Sequence, residues 1–344
     1  MSKRKHLELE ANTATVAFLG GSFSYTHSAA RSFFPSVRDS DFLAGRTVKE
    51  VFDQVKRNEA HYGVLPAESS TSGSIQSVND YLLLGVESGI QVIAEHREVE
   101  KIGLVSTLGA KDVDIDMVFG HSNMMDNCGD YLALLDEKRK KAGKKAVIRI
   151  VALDSSTACS LVNAEAAKGN STTAAAIASA KAAKHYNLNI VHEHIGSDLN
   201  SETRYIVIGK HEGENTDPLQ IRIASSPGSV RVPRRGSCVF ACNNEPGQVM
   251  KWSSCFAFRN MSILKIDSRP ANVALHLNSN QHLITLRHFD ILFYVDYEVS
   301  DNRTHDDCIS NLKEFSTFFR QLGLYAKYRG TPVAVSPNEM LTYY

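Results

Sequence analysis

Short apolar runs alternate with segments of helical periodicity over the first 210 residues. Runs at 15–19 and 62–65 predict strands, and Val48, Val51 and Val55 recur at the spacing of one helix face. The remaining expected strands are at 90–93, 102–105, 147–153 and 204–208, and the remaining expected helices are at 28–34, 78–84, 126–141 and 172–186. Strands that alternate with helices in this way predict an α/β domain.

The pattern changes after residue 210. Residues 211–235 are polar and contain Pro218, Pro227 and Gly228, so we interpret them as a linker. Its basic run could instead contact nucleic acid, but the run lacks the interleaved aromatic residues that stack on bases. Strands expected at 238–242, 261–267, 291–297 and 325–328 and helices expected at 247–258 and 308–322 then follow in the order βαββαβ, which is the ferredoxin-like arrangement. The stretch 271–290 is a flexible loop or an extra element.

Length and composition fit two globular domains. The chain has 344 residues, of which 43% are hydrophobic and 22% charged, and its formal net charge is zero. A neutral chain gives no support for nucleic acid or an anionic membrane as the main partner. Residues 1–13 lack the apolar run of a signal peptide, so we expect a disordered tail on a cytoplasmic protein. The six scattered cysteines favour free thiols over disulfides.

Hydroxyl-rich turns follow three of the expected strands. They lie within 19–30, 66–73 and 154–158, and each leads towards an expected helix. The free N–H groups and the positive dipole end of a helix N-terminus suit carboxylates. An ordinary helix cap is the alternative interpretation of each turn taken alone. The recurrence of the turn favours a cleft that binds a polyanion.

A fourth polar segment, 200–204, leads directly into an apolar strand. It places a hydroxyl and a guanidinium at the mouth of that strand, where α/β proteins commonly bind ligands. Successive strand residues point to opposite faces. We therefore expect one of Thr203 and Arg204 to face the cleft and the other to make a structural ion pair, with Thr203 as the preferred cleft residue.

The order and spacing of these segments resemble the catalytic domain of prephenate dehydratase. The matching residues are Ser24, Thr26, His27, Ala29 and Ala30 in the first run, Pro66, Glu68, Ser70 and Gly73 in the second, Ser156 and Thr157 in a Ser-Thr turn, Thr203 and Arg204 in the last, and more loosely His121 and Cys128. The resemblance implies an α/β catalytic domain at 14–210 with the two-lobed form of periplasmic binding proteins. Lobe 1 would take about 14–95 and 188–210, and lobe 2 about 96–187.

The second half resembles an ACT regulatory domain with the ferredoxin-like βαββαβ fold, placed at 236–335. Residues 245–250 correspond to the family's Gly-Ala-Leu segment, and residues 267–270 to its Glu-Ser-Arg-Pro segment. The implied effector site comprises Gly247, Gln248, Val249, Asp267, Ser268, Arg269 and Pro270. In the family these segments bind phenylalanine between subunits, so the resemblance implies phenylalanine as effector and a homodimer or homotetramer.

The activity implied by the resemblance is the decarboxylative dehydration of prephenate to phenylpyruvate in phenylalanine biosynthesis, with no cofactor and no metal. Thr203 is the implied catalytic residue, which would hydrogen-bond or protonate the departing hydroxyl. Glu68 would orient the site rather than act as the acid. The implied substrate-binding residues are Ser24, Thr26, Glu68, Ser69, Ser70, Ser156, Thr157 and Arg204.

Two alternatives to that activity remain. One is arogenate dehydratase, which runs the same reaction on the amino analogue and needs an acidic or carbonyl partner for the ammonium group. The other is a ligand-binding protein that keeps the fold without catalysis. It is motivated by two departures from the family pattern: Ser69 stands where the family has Asn, and Asn200 lies three residues before Thr203 instead of two.

Overall fold

The computed structural model describes residues 14–107, 109–169, 173–198, 200–210, 234–271 and 290–328. Four expectations from the sequence fall wholly or largely outside these ranges: the tail 1–13, the linker 211–235, the long connection 271–290 and the end of the ACT domain at 329–335.

Strands and helices occupy most of the described residues. The strands are β1 (Val16–Leu19), β2 (Phe42–Gly45), β3 (Tyr62–Ser69), β4 (Gly73–Ser74), β5 (Ile90–Val99), β6 (Gly103–Ser106), β7 (Ile115–Gly120), β8 (Ile148–Val151), β9 (Thr173–Ala178), β10 (Asn189–His192), β11 (Glu202–Lys210), β12 (Arg234–Ala241), β13 (Ile263–Pro270), β14 (Ile291–Val299) and β15 (Phe318–Ala326). The α-helices are α1 (Tyr25–Phe33), α2 (Val48–Lys56), α3 (Gln76–Gly85), α4 (Ser122–Asn127), α5 (Gly129–Lys141), α6 (Ser155–Ala167), α7 (Ala180–His185), α8 (Gln248–Ala257) and α9 (Asn302–Phe315).

Two sheets carry the first half of the chain. The smaller sheet has the order β10-β6-β9-β7-β8, and β1, β2, β3, β5 and β11 belong to the larger one. In the larger sheet β1 runs parallel to β2 and β3, while β11 runs antiparallel between β3 and β5. Helices pack against both sheets, so the two-lobed α/β arrangement expected from the sequence is confirmed.

The second half forms a βαββαβ unit. Its strands have the order β13-β14-β12-β15, with β12 antiparallel to both β14 and β15. In order of appearance this is 2-3-1-4, the strand order of a ferredoxin-like sheet, and α8 and α9 pack against each other. The fold expected for this half is confirmed.

Two of the expected helices are only partly helical in the structure. The Ala-rich stretch 172–186 was expected to be one helix, but it forms β9 followed by α7. Alanines 174, 175, 176 and 178 are buried in the middle of the smaller sheet, where tertiary burial outweighs their helix propensity. The helix expected at 308–322 is α9, which starts earlier because the Asp301 side chain accepts from the Thr304 N–H. The residues after 317 form β15.

The second lobe also extends further than expected. From the sequence, lobe 2 was expected to end at about residue 187 and lobe 1 to resume at about 188. In the structure, however, β10 pairs with β6 in the smaller sheet. The chain rejoins the larger sheet only with β11.

Apolar side chains fill the spaces between each sheet and its helices. Five of the six cysteines are buried in these cores, Cys242 is half-buried, and all six are free thiols, as expected. Within the described residues, none of the helices combines the length and the apolar character that crossing a membrane requires.

The larger sheet is continuous between the two halves. β15 runs parallel to β5 and meets it at Gly323 and Val92. A Cβ on Gly323 would overlap the backbone carbonyl oxygen of Val92. One apolar cluster spans this junction and includes Val92, Ile206, Val239 and Tyr325. The βαββαβ unit therefore packs directly on the strands that form the first lobe.

Gly323→Ala tests this junction. The added methyl has no room against the β5 backbone, so we expect the free energy of unfolding to fall by about 2 kcal/mol, as for overpacking in a core. Urea unfolding followed by circular dichroism measures it. Gly129→Ala is the matched control, because open space surrounds Gly129 at the start of α5. Equal stability of the two variants would contradict the tight junction.

Candidate active site

A cavity of about 310 Å³ lies between the two lobes. From the side of the larger sheet it is lined by Leu19, Gly20, Ser24, Tyr25, Thr26, Arg46, Thr47, Val48, Pro66, Ser69, Thr71, Ser72, Ile75, Glu100, Thr203 and Tyr205. From the side of the smaller sheet it is lined by His121, Asn123, Met124, Asn127, Leu153, Asp154 and Ser155. Several of these residues follow the carboxyl ends of parallel strands, which is the usual ligand position in an α/β fold.

Helix N-termini from both lobes border this cavity. Ser24 caps α1, Thr47 caps α2 and Asp154 caps α6, and all three caps line it. Ser155, the first residue of α6, also lines the cavity, and its buried hydroxyl has no hydrogen-bond partner among the described residues. Uncapped N–H groups and three positive dipole ends make the cavity favourable for anions.

Asp154 joins the two lobes at the cavity. One carboxylate oxygen accepts from the Thr157 N–H at 2.7 Å within α6. The other accepts from the Gly21 N–H of the opposite lobe at 2.8 Å. This contact holds the N-termini of α1 and α6 close together, so both helix ends can bind one ligand.

Strand alternation and a bulge select which side chains of β11 and β3 enter the cavity. Thr203 and Tyr205 lie on one face of β11 and both line the cavity. Thr203 pairs with Ser69, but Tyr205 pairs with Pro66, because the register shifts between them. The sequence placed the end of β3 at Pro66, but β3 passes through it at this irregularity, a position that proline tolerates. As a result Ser69 faces the cavity.

The structure brings four of the predicted site residues together. Ser24, Thr26, Ser69 and Thr203 all line the cavity. Of these, Ser24 and Thr203 are almost fully buried, at 3% and 4% exposure. They come from three separate segments of the sequence, which supports treating the cavity as one site.

Five predicted site residues do not line the cavity. Ser70 accepts from the Glu202 N–H at 2.9 Å, which ties β11 to the turn after β3. The Ser156 hydroxyl pairs with that of Tyr186 at 2.8 Å, and Thr157 belongs to the capped first turn of α6. Glu68 and Arg204 lie on the opposite face of their strands, described below.

The cavity residues absent from the predicted binding set include Arg46, Glu100, His121 and Ser155. Ser155 stands in a turn that the sequence did single out, but the choice between neighbouring hydroxyls depends on how the lobes face each other. His121 was matched only loosely, and burial lowers the pKa of its imidazole. Arg46 is the single Lys or Arg among the lining residues.

Glu100 is the most buried charged side chain of the cavity, with 6% exposure. The Tyr205 hydroxyl donates to its Oε1 at 2.7 Å, and the Thr203 hydroxyl lies close enough to lower the pKa of the carboxyl. Burial raises the pKa of the Glu100 carboxyl, and these two hydroxyl groups offset part of the rise. A carboxyl of altered acidity therefore lies beside the hydroxyl that the sequence singled out.

Arg204 occupies the centre of a buried charge network on the other face of β11. Its guanidinium pairs with Glu68 at 3.0 Å, with Asp296 at 2.9 Å and with Glu95 at 3.4 Å. Arg235 pairs with Glu95 at 3.0 Å from the other side. Since Glu68 and Glu95 belong to the first half of the chain and Asp296 to β14, the network joins the two halves.

The network keeps its charges despite burial. Burial alone would raise the pKa of Asp296, but Arg204, Lys265 and Arg235 together lower it. Burial likewise opposes the charge of Arg204, and Asp296 is the foremost group that holds the pKa of its guanidinium above the usual value. Each charge is therefore retained only because the others are present.

The predicted effector residues lie in two segments with different surroundings. Gly247 has a positive φ of 82° just before α8, and Val249 is exposed. In β13, by contrast, Asp267 accepts from Asn79 at 2.8 Å, and Arg269 pairs with Asp80 at 2.9 Å. Gln248, Ser268 and Pro270 complete the two segments. The β13 segment thus contacts α3 of the first half.

A model of the family "PDT: Prephenate dehydratase" matches residues 16–213, which is more than half of the chain and includes every residue around the cavity. The chain belongs to the prephenate dehydratase family. Dehydratases of this kind are carbon–oxygen lyases, and the chain is accordingly an enzyme of that class.

Relatives and solved structures agree with the family. Arogenate dehydratase/prephenate dehydratase 2 of Arabidopsis thaliana, a chloroplastic protein, is 30% identical over 311 residues, covering 90% of this chain and 72% of the relative. Prephenate dehydratase of Arthrobacter aurescens in complex with L-Phe superposes with a TM-score of 0.71 at 20% identity, covering 94% of each chain. GqqA, described as a novel type of quorum quenching acylase, has a TM-score of 0.68 at 19% identity and covers 91% of this chain and 98% of its own. Proteins with this fold are thus described with different activities, so the fold alone does not specify the reaction and the site residues must.

The start of α1 depends on a neutral histidine. His27 Nδ1 accepts from the Phe23 N–H at 2.8 Å, where Phe23 has a φ of 67°. Burial, with Arg31 and Lys181 nearby, lowers the pKa of His27 from 6.5 to about 4. Folding therefore favours the neutral imidazole, which an acidic medium opposes.

We expect the free energy of unfolding to fall as the pH drops from 6.5 to about 4. The contribution of His27 is complete above about pH 6.5 and is lost as the pH drops towards about 4, by up to about 3 kcal/mol. Urea unfolding at several pH values measures this slope. His27→Asn, which retains an acceptor but cannot titrate, should flatten it, whereas the exposed His194→Asn should not. An unchanged slope in His27→Asn would contradict this assignment.

Proposed function

We propose that the chain is a prephenate dehydratase, which converts prephenate to phenylpyruvate, carbon dioxide and water. The observation that carries the proposal is the meeting of the Thr203 hydroxyl with three helix N-termini in one cavity. A substrate with two carboxylates and a departing hydroxyl needs both features. The family membership and the names of the relatives point the same way.

Each part of the cavity has a task in this reaction. The capped N-termini of α1 and α6, with Ser155 and Arg46, would hold the carboxylates. Thr203 would donate a hydrogen bond to the ring hydroxyl as its bond to carbon breaks. The electron pair of the departing carboxylate completes the aromatic ring, so aromatisation supplies the driving force. The protein therefore contributes mainly orientation and stabilisation of the leaving oxygen.

Arogenate is a second candidate substrate, favoured by one observation. Its ammonium group needs an acidic partner, and Glu100 places a carboxyl in the cavity beside Thr203. The Arabidopsis relative carries both dehydratase names. The assay that decides supplies prephenate and arogenate separately to the purified protein and measures phenylpyruvate and phenylalanine. Turnover of neither substrate would refute the proposed function and favour a ligand-binding role.

Thr203→Ala tests the assigned hydroxyl. We expect turnover to fall by about 10²-fold or more, because the leaving oxygen loses its donor. Thr203→Ser keeps a hydroxyl and should stay within about tenfold of the unaltered protein. Steady-state kinetics with the preferred substrate, and thermal unfolding to confirm the fold, complete the comparison. Unchanged turnover in Thr203→Ala would remove Thr203 from the mechanism.

We also infer that phenylalanine inhibits the enzyme through the βαββαβ unit, at an interface that requires a homodimer or homotetramer. The Arthrobacter aurescens neighbour is described in complex with L-Phe. In this chain, the Arg269–Asp80 pair links the proposed effector segment to α3, and Ile75, which precedes α3, lines the cavity. In this proposal, effector binding acts on the cavity through α3.

Asp80→Asn tests that route. Loss of the charge weakens the contact of Arg269 with α3, so the phenylalanine concentration for half inhibition should rise about fivefold or more, the scale of a lost allosteric coupling. Calorimetry should still detect phenylalanine binding, and turnover without phenylalanine should be unchanged. Asp114→Asn, which breaks a surface pair with Lys144, is the matched control. Equal inhibition of both variants would refute the route.

A further inference from the structure

Glu100 has no task in the reaction as described for prephenate, yet the fold holds it firmly. Its backbone N–H donates to the Ser201 carbonyl at 2.9 Å, and its Oε1 accepts from the Tyr205 hydroxyl at 2.7 Å. Both contacts come from the segment that carries Thr203. The carboxyl of Glu100 and the hydroxyl of Thr203 thus line one cavity as a fixed pair.

The proposed reaction consumes a proton. Prephenate is a dianion, and its products are phenylpyruvate with one carboxylate, carbon dioxide and water. One proton must therefore reach the departing hydroxyl in every turnover. A threonine hydroxyl is a weak acid that cannot release its own proton without receiving another. A group that supplies this proton has to touch Thr203.

We propose that Glu100 supplies the proton through the Thr203 hydroxyl, as a positioning and proton-donating residue behind it. This inference rests on the proposed function. The bond between the ring carbon and its hydroxyl oxygen breaks, and Thr203 gives its proton to that oxygen to form water. The Glu100 carboxyl gives its proton to Thr203 Oγ at the same time. The bond to the departing carboxylate breaks to release carbon dioxide, and its electron pair enters the ring. A proton taken up from the solvent then restores the carboxyl of Glu100.

The groups that face Glu100 support a proton donor. Tyr205 and Thr203 approach from β11, Glu98 from β5 and Tyr25 from α1. Burial raises the pKa of Glu100, and the negative charge of Glu98 raises it further, while the hydrogen bond from Tyr205 and the nearby hydroxyl of Thr203 lower it. The other charged or titratable residues of the cavity are Arg46, His121 and Asp154.

Glu100→Gln removes the proton but keeps an acceptor for Tyr205. With prephenate we expect kcat to fall by about 10²-fold while KM changes less than about twofold. A general acid must be protonated, so kcat of the unaltered enzyme should decline as the pH rises through the pKa of Glu100. That decline should be absent in Glu100→Gln. In a Thr203→Ala background, Glu100→Gln should cause little further loss of kcat, because both residues act on the transfer of one proton.

Tyr205→Phe tests the same relay independently, through the pH dependence of kcat. Its hydroxyl lowers the pKa of Glu100, so removing it should move the alkaline decline of kcat to higher pH. The family pattern has Phe at this position, so the variant is expected to fold. An unmoved decline in Tyr205→Phe, or an unchanged kcat in Glu100→Gln, would overturn the relay.

The outcomes separate this inference from the proposed function. Failure of the unaltered protein to turn over prephenate or arogenate overturns the function itself. If the unaltered protein is active and Glu100→Gln is equally active, only the relay is overturned. If Glu100→Gln raises KM for arogenate and leaves prephenate kcat intact, Glu100 binds the ammonium group and the relay is wrong.

Discussion

The buried guanidinium of Arg204 is the constraint on which the rest of the structure depends. It contacts Glu68 on β3, Glu95 on β5 and Asp296 on β14, so four strands of the continuous sheet converge on one positive charge. Taking these charges out of water is costly, and breaking such a group by removing one member costs about 3–5 kcal/mol. The network therefore specifies how the two halves of the chain meet, more than it adds net stability.

The same constraint positions the cavity. Side chains alternate along β11, so fixing Arg204 on one face fixes Thr203 and Tyr205 on the other. The shifted register at Pro66 then brings Ser69 to the same side. Arg204, which joins the two halves, and Thr203, which lines the cavity, are thus neighbours in sequence but point to opposite faces of the sheet. A change in the packing of the βαββαβ unit against Arg204 would act directly on the strand that carries Thr203.

Much of this was predictable from local pattern, and the rest depended on distant contacts. The period of β11 indicated that Thr203 and Arg204 face opposite ways, and hydroxyl-rich turns marked helix N-termini. By contrast, Glu100 sits in a run with Glu95 and Glu98 that resembles a solvated strand edge, and contacts from distant segments, including β11 and α1, bury it. Ser155 and Ser156 are equivalent in sequence, and the orientation of α6 across the lobes decides between them. The Ala-rich β9 follows tertiary burial, which propensity does not encode.

The scarcity of full positive charges around the cavity has a catalytic meaning for the proposed reaction. Arg46 is the single Lys or Arg among its lining residues, and helix N-termini, which carry partial positive charge, border the cavity. A strong ion pair to the departing carboxylate would stabilise the substrate more than the transition state, in which that group is becoming neutral carbon dioxide. Partial charges of helix ends bind the anion without holding it as tightly. Donors are then best concentrated at the leaving oxygen, where Thr203 and Glu100 lie.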